Sequence, residues 1–284
     1  MLSKFDYYRP KSLAEAVSYL ESNPGTKILA GGTDLMVLLR RNAEKCEHIL
    51  DIKEIPETMK LVYQAGVGLF IGASITVNQV SESEIIREKY PALGQAADSL
   101  ASYQLRNRAT LVGNICNASP GADLSAPLLI YNAEVHIAGP NGSRTVRINE
   151  FFTGVKKTVL QRDEIVTGVL LPEVQSGDIS VFQKQARIKG HDLGIAGAAV
   201  RLTSKKEILI AMSAVAPTPI RLTRLEEMLS GKVLTKELAE WVGGEVKNHI
   251  KPISDVRSSA EYRLHVSGVL VKKGLIKLIE KGVN

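Results

Sequence analysis

Near residue 175 the hydrophobic pattern of this chain changes rule. Before that point short β-like runs alternate with helical stretches. After Glu173-Val174-Gln175-Ser176-Gly177-Asp178 come three β-like runs in succession, ISVFQKQARI, LGIAGAAVRLT and EILIAMSAVAP. From Arg221 onward the periodicity is helical, in LTRLEEMLSG, LTKELAEWVGGEVKNHI and AEYRLHVSGVLVKKGLIKLI. Strands followed by helices predict an α+β unit over 175–284, behind a first domain over 1–174. With 284 residues, 44% of them hydrophobic, the chain has enough apolar material for two such units.

The front portion reads as β, α, β repeated. Ser12-Leu13-Ala14-Glu15 has capping-box spacing, and Leu13, Ala16, Val17 and Leu20 share one helical face until Asn23-Pro24-Gly25 stops it. Lys27 to Ala30 is short and apolar like a buried strand, and Gly31-Gly32-Thr33-Asp34 turns it into the helix LMVLLRR. A strand is expected around Ile49 to Ile52, then MKLVYQAG and LFIGASIT, and Thr76-Val77-Asn78-Gln79 opens another helix. Helical PALGQAADSLAS leads into a long polar segment, Tyr103 to Ser125. A hairpin is centred on Pro140-Asn141-Gly142, and a strand over Glu164 to Leu171 ends at Pro172.

The formal charge of +6 arises from scattered lysines and arginines, with doublets such as Lys156-Lys157, Lys205-Lys206 and Lys272-Lys273. This does not indicate nucleic-acid binding. It suits solubility, or a basic surface facing an acidic protein or a phosphate-bearing cofactor. The segment MLSKFDYYRP lacks a secretory apolar stretch, and nothing approaches the ~20 apolar residues of a membrane span, so a soluble cytoplasmic protein is expected. Cys46 and Cys116 are too few for a disulfide framework or a four-thiolate cluster on this chain. His48, His136, His191, His249 and His265 show neither HExxH spacing nor close pairing, which gives no support for a metal site.

Two segments carry ligand chemistry. In Ala30-Gly31-Gly32-Thr33-Asp34 the glycines let backbone approach a ligand closely, and the following helix aims free N–H groups outward, an arrangement that binds phosphate. A merely tight connection, with Asp34 complementing the helix dipole, is the alternative. The second segment is Thr110-Leu111-Val112-Gly113-Asn114, followed by Ile115-Cys116-Asn117-Ala118-Ser119-Pro120-Gly121-Ala122-Asp123. Apolar stretches bracket it, and a buried polar loop needs groups to satisfy it. An irregular surface loop is the bland reading.

AGGTDL, TLVGNICNASPGADLSAPLL and KQARIKGHDLGIAGAAVRL, in that order, resemble the FAD-binding medium subunits of the xanthine dehydrogenase and carbon monoxide dehydrogenase family. The match extends to Pro217-Thr218-Pro219-Ile220-Arg221 and to Glu261-Tyr262-Arg263. The resemblance implies an α+β fold. A vanillyl-alcohol-oxidase-like FAD-binding domain of two α/β subdomains, about 1–55 and 56–174, would precede a three-stranded antiparallel sheet and a three-helix bundle. It implies an FAD whose pyrophosphate is clasped from both sides. Leu29, Ala30, Gly31, Gly32, Thr33, Asp34 and Leu35 would supply one side, and Thr110, Leu111, Gly113 and Asn114 the other, with Leu100 in the same set. Asp123 matches an acid that holds ribityl or ribose hydroxyls. Lys184 matches a lysine near the flavin ring, where its charge would stabilise the reduced anionic flavin; a solvent-facing strand lysine is the alternative.

The sequence departs from the family in places. Val112 stands where the pattern T-x-G-G-N has its first glycine, and its side chain either obstructs the phosphate or points away from it. Leu193 follows Asp192, where some members carry an aromatic residue against the flavin. Cys116 is expected to be a buried structural cysteine rather than a redox thiol.

The activity implied is that of an oxidoreductase subunit of xanthine, aldehyde or CO dehydrogenase type. Substrate would be oxidised on a molybdopterin-containing large subunit, and electrons would cross 2Fe-2S clusters on a small subunit to this FAD. NAD, a quinone, ferredoxin or oxygen would then accept them, within a dimer of heterotrimers. No general acid, base or other catalytic residue is assigned to this chain, and no G-x-G-x-x-G fingerprint identifies the acceptor. Two other readings remain open: a self-contained flavin reductase or oxidase resembling enolpyruvyl-glucosamine reductases, and a flavin-free structural subunit.

Overall fold

The computed structural model describes residues 4–41, 46–188 and 190–282. Strand β1 (Asp6–Tyr8) leads to helix α1 (Leu13–Ser22), whose start is set as the spacing predicts: Ser12 Oγ accepts the Glu15 N–H at 3.2 Å. The Glu15 carboxylate reaches back to the Lys11 N–H at 2.8 Å, one residue earlier than a capping box requires. Strand β2 (Lys27–Leu29), helix α2 (Leu35–Arg40) and strand β3 (His48–Asp51) complete a parallel sheet of order β1-β3-β2.

Strands β4 (Leu61–Gln64) and β5 (Gly68–Gly72) begin the next layer. Six short helices follow: α3 (Val77–Glu82), α4 (Glu84–Lys89), α5 (Pro91–Ser99), α6 (Tyr103–Arg106), α7 (Leu111–Cys116) and α8 (Ser125–Ile130). At α3 the Thr76 and Gln79 side chains form the full capping box. The layer closes with β6 (Glu134–Gly139), β7 (Gly142–Arg147), α9 (Ile148–Phe151), a small hairpin of β8 (Phe152–Gly154) and β9 (Lys157–Thr158), and the long β10 (Ile165–Pro172). The main sheet is antiparallel in the order β4-β5-β10-β6-β7.

The polar segment 103–125 is therefore not one loop. Ser102 Oγ accepts the Leu105 N–H at 3.3 Å, and Thr110 Oγ1 accepts the Gly113 N–H at 2.9 Å, so two hydroxyls each start a helix. Helices of four and six residues are too short to reveal a 3.6-residue period in sequence.

The rear sheet runs β11 (Ile179–Gln185), β12 (Ala196–Leu202), β13 (Ile208–Ser213) and β14 (Ile220–Arg221), all antiparallel. A two-residue fourth strand thus joins the three expected. Both faces of this sheet are buried, which explains its nearly continuous apolar runs. Val181, Val200 and Ile210 pack in the rear core with α10 (Thr223–Leu229), α11 (Lys236–Glu245) and α12 (Ala260–Gly282). Phe182, Ala199, Leu209 and Ala211 face the other way and join the core of residues 16–174. Helices α11 and α12 cross at glycines, because a Cβ on Gly268 would strike the Gly243 carbonyl oxygen.

Polar links seat the rear sheet against the front layer. The Ala92 N–H donates to Ser180 Oγ at 3.3 Å, and Gln95 Oε1 accepts the Phe182 N–H at 2.8 Å. Arg201 is 9% exposed; it donates to the Ile130 carbonyl at 3.1 Å and ion-pairs with Asp178. Burial alone would raise the Asp178 carboxyl, but bonds from Arg201 and the Ser204 N–H outweigh it and hold the group below the usual range. That stability is present above the unfolded value near 3.8 and is lost as pH falls through the lower folded value. Arg201→Met strands a buried carboxylate, so urea unfolding at pH 7 is expected to show a loss of about 3–5 kcal/mol. The deficit should shrink as the pH falls towards 3; a loss independent of pH would contradict this role.

Candidate functional site

The turn from β2 into α2 is shaped by its glycines. Gly32 sits at φ +74°, in the left-handed region. At Gly31 no side chain fits: a Cβ would run into the Arg108 carbonyl oxygen and lie 3.0 Å from Ala109 Cα. Two segments about 80 residues apart in sequence are thereby placed backbone against backbone.

Lys53 braces the start of this turn, donating to the Ala30 carbonyl at 3.3 Å and pairing with Asp51 at 2.7 Å. Asp51, buried at the end of β3, also accepts the Lys53 N–H at 3.0 Å and the Tyr7 hydroxyl. Burial alone would raise its carboxyl; these bonds win and keep it below the usual range. Among the described residues no protein acceptor meets the backbone N–H groups of Gly31, Gly32, Thr33, Asp34 or Leu35. The Asp34 side chain is exposed and caps nothing, although the residue stands at the N-cap.

The second expected glycine loop is instead the first turn of α7. Thr110, 3% exposed, is its N-cap, and a Cβ on Gly113 would meet Thr110 Oγ1 at 2.8 Å, so capping itself requires that glycine. Leu111 and Val112 are buried in the front core, so Val112 takes the second of its two orientations, away from the turn surface. Asn114 Oδ1 is buried without a protein partner among the described residues.

Asp123 is 5% exposed and binds the Lys184 ammonium through Oδ2 at 2.7 Å, while Oδ1 has no partner among the described residues. Burial raises this carboxyl above the usual range against the opposing pull of Lys184. Lys184 does not face solvent. It also donates to the carbonyls of Ser99 at 3.1 Å and Asp192 at 3.2 Å, so its three protons are used on protein acceptors. Leu100, buried next to Ser99, has its carbonyl held by Arg106 Nη1 at 3.1 Å. Ala101 and Ala118 both sit at φ +46°, each a cost of about 1 kcal/mol that the surrounding bonds must hold in place.

The structure thus gathers the sequence-derived residues into two groups, the turn over Leu29 to Leu35, whose Gly31 meets Arg108 and Ala109 just before α7, and Leu100 with Asp123 and Lys184. Sequence reasoning missed Lys53, the Arg108, Ser99 and Asp192 carbonyls, Gly194, whose Cβ would lie 3.3 Å from Asp123 Oδ1, and Ser125, whose buried Oγ has no partner among the described residues. Backbone carbonyls leave no signature in residue type; Gly194 alone carried a signal, as the glycine of the Asp-Leu-Gly run. The surface clefts lined by Gln95, Phe182 and Lys281, and by Lys236 and Trp241, contain none of these residues. Unpaired N–H donors on a glycine turn suit diphosphate oxygens, and the orphan Asn114 and Asp123 oxygens suit hydroxyl donors. The residues present fit a polyhydroxylated ligand carrying a diphosphate.

The family described as the FAD binding domain in molybdopterin dehydrogenase matches residues 3–174, and the CO dehydrogenase flavoprotein C-terminal domain matches residues 182–278. The chain belongs to the FAD-binding subunits of the molybdenum hydroxylase family. The xanthine dehydrogenase FAD-binding subunit of Escherichia coli O157:H7 is 36% identical over 272 residues, covering 94% of this chain and 93% of the relative. A chain of carbon monoxide dehydrogenase from Hydrogenophaga pseudoflava superposes with TM-score 0.92 at 33% identity, covering 97% of both chains. Quinoline 2-oxidoreductase from Pseudomonas putida 86 gives TM-score 0.93 at 26% identity over the whole of both chains. The protein is accordingly an FAD-dependent oxidoreductase subunit. Among the described residues no helix is long and apolar enough to cross a membrane.

Cys116 packs against the front core, and burial pushes its thiol up to about 12. In a Cys46→Ser background, a thiol reagent at pH 8 should label Cys116 about 100-fold more slowly in the folded chain than in urea. Labelling at comparable rates would restore the case for a reactive thiol.

Proposed function

We propose that this subunit passes electrons from 2Fe-2S clusters on a small partner subunit, through FAD, to an external acceptor such as NAD or a quinone. The substrate is oxidised on a molybdopterin-bearing large subunit, and the assembly is a dimer of heterotrimers. When bound, FAD accepts electrons singly and delivers them in pairs. The observation that carries the reading is the contact of Gly31 with Arg108, which puts the unpaired N–H groups of one segment beside the cap of another.

In this reading Leu29 to Leu35 hold the diphosphate chiefly through backbone donors, Thr110 to Asn114 close its other side, and Leu100 borders the cofactor. Asp123 Oδ1 and Asn114 Oδ1 accept ligand hydroxyls. Lys184, with its protons engaged by protein, acts as a fixed positive charge that holds Asp123 and favours the reduced anionic flavin. The FAD-binding domain spans 1–174 and the second domain 175–284.

Gly31→Ala forces the turn away from Arg108; it should cost about 1–3 kcal/mol of stability and sharply lower the FAD content of purified protein, read by visible absorbance. Val112→Gly should cost about 2–4 kcal/mol yet leave FAD affinity within about twofold, because that side chain fills the core. Tighter FAD binding by Val112→Gly would show the valine to obstruct the site. For the electron route, the isolated chain should not reduce its FAD with any small substrate, whereas the assembled complex should. Substrate-driven flavin reduction by the chain alone would replace this proposal with a self-contained enzyme.

A further inference from the structure

Arg263, in the Glu261-Tyr262-Arg263 element, plays no part in the site described above. It lies near the start of α12 and is 2% exposed. Its Nη2 pairs with Asp255 at 2.7 Å, and its Nη1 donates to the Ala214 carbonyl at 2.9 Å. Ala214 follows β13 at φ +63°, a conformation that a residue with a Cβ avoids unless it is held there. The Ala214 N–H in turn donates to the Pro120 carbonyl at 2.7 Å.

Pro120 belongs to the turn that connects α7 to Asp123. The turn is packed closely by the rear domain: a Cβ on Gly121 would lie 3.8 Å from both Ala214 Cβ and Arg257 Nη1, and 3.9 Å from the Gly194 carbonyl oxygen. Arg257 shares Asp255, to which its Nε donates at 3.0 Å. One chain of hydrogen bonds therefore runs from Asp255 through Arg263, Ala214 and Pro120 to within three residues of Asp123, whose Oδ1 is unpaired among the described residues.

We propose that Arg263 is a positioning residue for the FAD site: anchored by Asp255, it locks Ala214 in its left-handed conformation, and Ala214 fixes the Pro120–Asp123 turn that presents Asp123 Oδ1. Arg263 Nε is buried with no partner among the described residues, so the Asp255 ion pair and the Ala214 carbonyl bond are what offset the burial of this guanidinium. If Ala214 relaxes to negative φ, its N–H swings away from Pro120 and the turn loses its tie to the rear domain. This inference rests on the FAD assignment proposed above, and its test separates the two.

Wild type, Arg263→Met, Arg263→Lys and, as a control on the same helix, Leu275→Ala are compared at a temperature where far-UV circular dichroism shows each to be folded. Leu275 is fully buried and belongs to the rear core. Hydrogen exchange is read at the Ala122 and Ala214 amides in flavin-free protein, and FAD affinity by visible-absorbance titration. In Arg263→Met both amides should exchange about tenfold faster and the FAD Kd should rise about tenfold, whereas Leu275→Ala changes neither by more than about twofold. Arg263→Lys keeps the charge but cannot span both acceptors, so it should fall between; it carries the comparison if the methionine variant does not fold. Wild-type exchange at both amides in a folded Arg263 variant overturns the proposal, as does wild-type FAD affinity. Wild-type protein that binds no FAD overturns the FAD assignment instead, and the exchange arm alone then decides whether Arg263 orders the turn.

Discussion

The Arg108 carbonyl oxygen faces the α-carbon of Gly31, and no residue with a side chain fits between them. Much of the architecture serves that contact. On one side, the parallel sheet delivers the turn, and the Tyr7–Asp51–Lys53 cluster steadies its first carbonyl. On the other, the Val77 N–H holds the Ala109 carbonyl at 2.8 Å, and Thr110 caps the helix that follows. A glycine was required here by packing alone, while Gly32 was required by its backbone angle. The shared motif thus combines two different physical demands.

The rear sheet is a middle layer rather than a separate lobe. With one face in each core, it cannot shift register without exposing apolar side chains to one side or the other. Its polar connections to the front are Lys184 to Asp123 and Arg201 to the Ile130 carbonyl, both buried or nearly so, and the Ala214 N–H, held from behind by Arg263, to the Pro120 carbonyl. Each was costly to desolvate, so their value lies in fixing one arrangement of the layers, with the neighbourhood of Asp123 as the point where two of them meet.

Much of this was legible in the sequence, and what was not failed for physical reasons. Helix α1 and the hairpin at Pro140-Asn141 are local, fixed by a cap and by a turn with Gly142 at φ +102°, and residue type reports both. The stretch from Tyr103 to Ser125 misled because its helices are one or two turns long, and because the hydroxyls of Ser102 and Thr110 cap those helices. Gly31 was visible as a glycine but its reason was not, since the opposing group is a carbonyl that any residue supplies. Lys184 was expected as a charge near a ring; that it also ties Ser99 and Asp192 depends on carbonyl positions that only the folded chain reveals.

The central claim is that the turn after β2 and the start of α7 hold one ligand jointly. Hydrogen exchange across an FAD titration of the intact chain tests it most directly. The amides of Gly31 to Leu35 and those of Thr110 to Asn114 should gain protection together, with one midpoint and one FAD per chain. Protection confined to a single segment, or two separate midpoints, would contradict it.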